Sequence, residues 1–205
     1  DGSIKTWGDV YYGGKDAPNA PTDKGYTKVY STTNAFAALK IDGSIKGWGR
    51  AYSGGANSPD DKGYTEIYSN AVAFAALKTD GSIKAWGEPG DGGTNAPDGK
   101  GYTKIYSNTY AFAALKADGS IKAWGSSDSG GTNAPDGKGY TKFIQMIMPL
   151  LPLKPMAQSR RGVVQILEAQ THPIYPLTKA ISRFIQLIKP LLLLKLMAQL
   201  HRGVA

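Results

Sequence analysis

The chain has 205 residues, no cysteine and a formal charge of +8, which suits one domain of ordinary size and excludes disulfides and thiolate metal sites. That charge would ordinarily raise nucleic acid or an anionic membrane as a partner, but it is unevenly placed. Residues 143–205 carry 8 Lys+Arg against one acid, Glu168, whereas residues 1–142 carry 16 basic and 15 acidic groups, and no nucleic-acid partner is expected. All four Trp lie before residue 143, and all four Met and both His lie after it.

In chain order, the octapeptide Asp-Gly-Ser-Ile-Lys-x-Trp-Gly starts at Asp1, Asp42, Asp80 and Asp118, at offsets of 41, 38 and 38 residues. A fixed period of this length signals units that cannot bury an apolar face alone and stack on their neighbours. The chain opens inside such a unit and is read as part of a longer protein, with any signal peptide upstream. In the unit from Gly101, Tyr102–Ser107 alternates as a strand, Ala111–Lys116 reads as a second strand, and Asp118-Gly119 is a tight turn returning Ile121–Trp124 as a third. The second strand's alanines suit the close approach of a neighbouring sheet. Gly125–Gly139 is a crossing loop with a short edge strand expected around Thr132-Asn133-Ala134. The expected fold class is all-β: tandem antiparallel hairpin repeats forming a partial β-propeller over residues 1–142, preferred to a β-solenoid or an unclosed string of hairpins.

Ala111–Gly125, reading Ala-Phe-Ala-Ala-Leu-Lys-Ala-Asp-Gly-Ser-Ile-Lys-Ala-Trp-Gly, resembles the repeat of the regulator-of-chromosome-condensation family. The short period is similar to the bacterial secreted branch of that family, the one containing β-lactamase inhibitor protein II. The resemblance implies a propeller that binds other macromolecules through its faces, and an exported protein at the cell surface or outside the cell. Gly-Gly pairs (Gly54-Gly55, Gly92-Gly93, Gly130-Gly131) stand where the eukaryotic pattern has a Gly-Gln-Leu-Gly run, so chromatin binding and nucleotide exchange are not implied.

Residues 143–205 read as the same repeat out of frame. Phe143-Ile144-Gln145-Met146, coded TTT-ATT-CAA-ATG with one A restored in front, regroups to Ile-Tyr-Ser-Asn, the string expected after Lys142. Pro149–Val163 regroups in the same way to Ala-Phe-Ala-Ala-Leu-Lys-Ala-Asp-Gly-Ser-Ile-Lys-Ala-Trp-Gly. Phe143–Val163 and Phe184–Val204 match at 15 of 21 positions at an offset of 41, which equals the first repeat spacing. The tail is therefore expected to be non-native in character. It should be mostly loop between Pro149 and Pro176, with short helices at about 180–189 and 191–202 split by Pro190. Its apolar, cationic stretches resemble a membrane-surface helix, but neither side of Pro190 reaches the roughly 20 residues a span requires.

Trp7, Trp48, Trp86 and Trp124 recur at one structural position and are assigned to the core of each blade in preference to a ligand platform. The Asp-Gly pairs lack calcium-loop spacing, and Gly90–Gly93 lacks the Lys-Ser/Thr of a phosphate loop, so neither metal nor cofactor is expected. The part before residue 143 has no His and no Cys, which removes Ser-His-Asp and Cys-His catalysis there; no catalytic residue is assigned and no enzyme is expected. The loops after each Trp-Gly differ between copies while the frame repeats, as happens when loops on a rigid scaffold carry function. Tyr11, Tyr12 and Tyr52, with Asp91 in the third loop, are the candidate binding residues for an unknown protein partner. The expected function is a non-enzymatic binding or structural module of an exported bacterial protein. The alternatives are a frameshifted product without function and a membrane-active cationic tail.

Overall fold

The computed structural model of the protein describes residues 1–17, 19–144 and 151–153. Each unit folds as a three-stranded antiparallel meander. Strands β1 (Tyr26–Ser31), β2 (Ala35–Lys40) and β3 (Ile45–Gly49) form the first sheet, β4 (Tyr64–Ser69), β5 (Ala73–Lys78) and β6 (Ile83–Gly87) the second, and β7 (Tyr102–Ser107), β8 (Ala111–Lys116) and β9 (Ile121–Gly125) the third. Register repeats with the sequence: Phe36 faces Trp48, Phe74 faces Trp86 and Phe112 faces Trp124 across the second and third strands. The described residues are all-β, with single-turn 3₁₀ segments in the loops after each Trp-Gly as the other regular structure. Three such sheets in tandem fit a propeller-like repeat arrangement.

The turn chemistry closes each hairpin. Asp42 Oδ1 accepts from the Ser44 backbone N–H at 3.0 Å and from its Oγ at 2.7 Å, and Asp80 and Asp118 repeat this. Gly43 sits at φ 78°, and a Cβ on it would lie 2.5 Å from the Tyr64 nitrogen of the next unit. Positive φ and close approach thus both require glycine there.

The alanines of the second strands let the sheets come together. Ala37, Ala38, Ala75, Ala76 and Ala114 are fully buried. One face of the first sheet (Ala35, Ala37, Leu39, Ile45) packs on the opposite face of the second (Tyr64, Ile67, Phe74, Ala76, Trp86), and the second packs on the third in the same way. Each Trp stacks on the Phe of its own sheet, with ring centroids 5.2–5.4 Å apart. Each then reaches back one unit: Trp48 Nε1 donates to the Gly13 carbonyl at 3.1 Å, Trp86 to Gly54 at 3.0 Å and Trp124 to Gly92 at 3.0 Å. Backbone bonds from Thr33 N–H to Ala71 O (2.9 Å) and from Ala71 N–H to Thr109 O (3.1 Å) tie the units at the other edge.

Three expectations change. Trp7 is 83% exposed, where Trp48 is 2%. Among the described residues neither a Phe-bearing strand nor a Gly-Gly loop lies against it, and those two supply the burial of the other three. No strand forms at Thr132–Ala134, because Asn133 takes a left-handed φ of 56°, as do Asn57, Asn95 and Asp16, and breaks the extended path. The expected loop after Pro149 contains a strand: β10 (Lys142–Ile144) pairs with β11 (Leu151–Leu153). The pair Lys142↔Leu153 lies 38 residues beyond Lys104↔Leu115, so the hairpin keeps the register of the first two strands of a unit. Its start is set upstream, where the Gly139 and Tyr140 N–H groups donate to the Asp118 and Gly119 carbonyls. The rest of the tail, including the two expected helices and the membrane-surface stretch, lies outside the described residues.

Trp86→Phe keeps the stack but leaves the Gly54 carbonyl without its indole donor, and should cost about 1–3 kcal/mol. Trp86→Ala should cost about 3–5 kcal/mol, whereas Trp7→Phe should change stability by less than about 0.5 kcal/mol. Urea unfolding of the full chain gives all three values.

Candidate functional site

The strands place two different surfaces at their two ends. At the turn end the same groups recur. Lys62 Nζ lies 2.7 Å from Asp42, Lys100 2.9 Å from Asp80, Lys138 3.0 Å from Asp118 and Lys24 2.9 Å from Asp1. The Lys62 ammonium, then the Ser44 hydroxyl and N–H, hold the Asp42 carboxyl well below the usual carboxylate range; Lys100 and then Ser82 do the same for Asp80. At Asp118 the Ser120 bonds lead and Lys138 adds to them. In the first two sheets a second clamp joins Lys40 to Asp23 and Lys78 to Asp61, lowering both carboxyls. The Tyr26 and Tyr64 hydroxyls donate to the same two carboxylates at 2.6 and 2.7 Å; burial first, then those carboxylates, push both phenols upward.

At the opposite end lie the loops that follow Trp-Gly. The frame holds them by backbone atoms. The indole of the next unit takes the carbonyl of Gly13, Gly54 or Gly92, and a residue of the same unit's first turn takes a second carbonyl: Thr32 Oγ1 donates to Ser53 O at 3.0 Å, Asn70 Nδ2 to Asp91 O at 2.6 Å and Asn108 Nδ2 to Ser129 O at 2.6 Å. Gly54 turns at φ 94° directly under Phe74, where a Cβ would meet the ring at 2.5 Å. The path of each loop is therefore fixed while most of its side chains are left free to differ.

Tyr11 and Tyr52 occupy the same position in successive loops and are 77% and 71% exposed. Tyr12 is half-exposed, although the equivalent Ser53 and Ser129 are buried. Val10, Tyr11, Tyr12 and Asn19 of the first loop face Gly49, Arg50, Ala51, Gly55 and Ala56 of the second across an open cleft of about 680 Å³. The cleft brings Tyr11 and Tyr12 together. Tyr52 stands beside it in the second loop, and Asp91 stands a loop further on, half-buried, with its carbonyl engaged by Asn70. Trp48, Trp86 and Trp124 lie in the cores beneath the loops. Sequence reasoning did not single out Arg50, the one cation lining the cleft among the described residues, or Asn19, which takes a left-handed φ of 63° in the longer first loop. The signal for Asn19 was the 41-residue first period against 38 thereafter, and for Arg50 its place in the second of the loops that differ between copies.

Aromatic faces, a cation and an amide around a shallow cleft can bind a peptide or protein surface; nothing in them supplies a nucleophile paired with a base. Among the described residues no cluster of three His, Cys, Asp or Glu side chains is placed to hold a metal ion. No protein-family model matches the chain, and no curated protein matches its sequence.

The lowered turn-end carboxyls set an expectation for stability against pH. A carboxyl whose folded pKa lies below its unfolded value near 3.8 contributes stability above that pH and loses it as pH falls through the folded value. Stability should be flat from neutral pH to about pH 5 and fall below about pH 4. The triple variant Asp42→Asn, Asp80→Asn, Asp118→Asn should be less stable at pH 7 and converge on the wild-type melting temperature at the acid end. Thermal melts across pH 2–7 check this.

Proposed function

We propose that the chain is a non-enzymatic, propeller-like repeat module that holds a protein partner on the loop end of its sheets. The proposal follows the resemblance to the bacterial secreted branch of the chromosome-condensation repeat, and with it comes an origin in an exported bacterial protein. The observation that carries it is the repeated exposure of Tyr11 and Tyr52 at one structural position, on loops whose backbone is held and whose side chains vary. Exposed tyrosines bring large contact area at low conformational-entropy cost, and the cleft between the first two loops offers a pocket for a partner side chain beside Arg50.

A second reading rests on the codon regrouping of residues 143–205: the product as a whole is a frameshifted chain without selected function. Nucleotide sequence around the Lys142 codon in independent isolates separates the two, because restoration of one base before Phe143 recovers the repeat.

The binding reading is tested by selecting displayed peptides or small domains on the full chain. Binders selected on the wild type should lose at least about tenfold affinity on the variant Tyr11→Ala, Tyr12→Ala, Tyr52→Ala, as loss of interface aromatics does. They should bind unchanged to Lys62→Ala at the turn end. Equal affinity for the triple variant removes the loop end as the binding surface.

A further inference from the structure

Among the places where aspartate precedes glycine are Asp42, Asp80, Asp91, Asp98 and Asp118, and the fold fastens all of these but Asp98. In the hairpin turns the glycine nitrogen is bonded: Gly43 N–H donates to the Lys40 carbonyl at 3.0 Å, and Gly81 and Gly119 donate to Lys78 and Lys116 at 2.9 Å. The carboxylates there are engaged as well. The Lys62 and Lys100 ammonium groups at Asp42 and Asp80, and the Ser120 bonds at Asp118, lead the donors that hold them ionised. Gly92 is buried under the Phe112 ring, which a Cβ would meet at 2.7 Å. The carbonyls on either side of its nitrogen are both taken, Asp91 O by Asn70 at 2.6 Å and Gly92 O by Trp124 at 3.0 Å.

Asp98-Gly99 is held at none of these points. Both residues are exposed, and a Cβ on Gly99 would meet nothing within 4 Å. Among the described residues no group bonds the Gly99 N–H, the Asp98 carbonyl or the Asp98 carboxylate, which lies near Tyr102 without a hydrogen bond to it. The preceding unit differs here. The same place reads Asp60-Asp61, and Asp61 joins Lys78 and accepts from the Tyr64 hydroxyl. With glycine at 99, Lys116 still lies over the Tyr102 ring, at 4.7 Å, but without such a clamp. Asp98 is left beside the one residue type that has no side chain to obstruct its nitrogen.

We infer that Asp98-Gly99 is a modification site, where the aspartyl bond rearranges spontaneously to isoaspartate through a cyclic imide, with water as the co-reactant. The Gly99 nitrogen attacks Asp98 Cγ. An N–Cγ bond forms, and the protonated carboxyl loses its hydroxyl as water with the proton from the nitrogen. Water then adds to one of the two imide carbonyls. Opening at Cγ restores aspartate. Opening at the α-carbonyl breaks the original peptide bond, leaves the chain running through Cβ and Cγ, and frees an α-carboxylate. Nothing is oxidised or reduced. At the other four pairs the nitrogen must first give up a hydrogen bond, or the peptide plane must turn against two held carbonyls, and both require local opening. The lengthened link lies just before Lys100, which pairs with Asp80, and Gly101, whose N–H donates to the Asp80 carbonyl. The rearrangement therefore falls on the fastening between the second and third sheets.

The reaction involves neither the loop-end tyrosines nor a partner, so its test stands apart from the partner-binding reading. The full chain is kept warm at mildly acidic pH in water enriched in heavy oxygen. A passage through the imide leaves a solvent oxygen at the site whichever carbonyl is opened. Peptide mass spectrometry with electron-transfer fragmentation then locates both the label and the isoaspartyl bond. In the folded chain Asp98 should take up label at least about tenfold faster than Asp42, Asp80, Asp91 and Asp118, whose reaction waits on local opening. In the urea-unfolded chain all of these sites should react at similar rates. Two results overturn the inference: labelling of folded Asp98 no faster than of the other four, or the same lead for Asp98 in urea, which would trace it to the local sequence instead of the fold.

Discussion

One hydrogen bond recurs wherever two units meet: a buried indole N–H donated back to the carbonyl of a left-handed glycine in the preceding loop. An indole in a core has a single donor, and leaving it unmade carries the full cost of desolvation. Here the partner lies in another unit, 32 residues away for Trp86 and Trp124. The Phe that stacks on the ring lies in the same unit, so one side chain welds the sheet internally and the array externally. A sheet without a neighbour has neither a place for its indole nor a cover for its alanines. Such coupling makes stability a property of the array rather than of a unit, and it concentrates weakness at the ends.

The period-two strands and the Asp-Gly turns could be read from the residues, because both are local: alternation fixes a face, and an aspartate bonds the N–H two residues on. The burial of Trp7 was not legible, since Trp7 carries the same local sequence as Trp48 and differs in what lies beside it. The expected strand at Thr132 failed for a subtler reason. A single asparagine in the left-handed region ends an extended path, here two residues after the Gly-Gly pair. The site divides in the same way. Tyr11, Tyr12 and Tyr52 announced themselves as variable residues in a frame that repeats along the chain. Arg50 and Asn19 become part of a cleft when two loops 41 residues apart in their parent octapeptides come side by side.

The two ends of the strands show opposite uses of side chains. At the turn end, carboxylates and ammonium groups are themselves the fastening, so the residue types recur at Asp1, Asp42, Asp80 and Asp118 with their lysines. These pairs are exposed, and individually they contribute little at neutral pH. At the loop end the fastening is made by carbonyl oxygens, which every residue possesses. A substitution there need not disturb the frame provided it avoids the glycines under the rings. Variation and function can therefore share one end of the molecule while the other end maintains the period.

This division also separates the tyrosines. Tyr11 and Tyr52 stand at one loop position that is exposed in both units, 77% and 71%. Tyr12 occupies the position of Ser53 and Ser129, which are buried where a first turn bonds the loop through Thr32 or Asn108. Among the described residues no such turn lies over Tyr12.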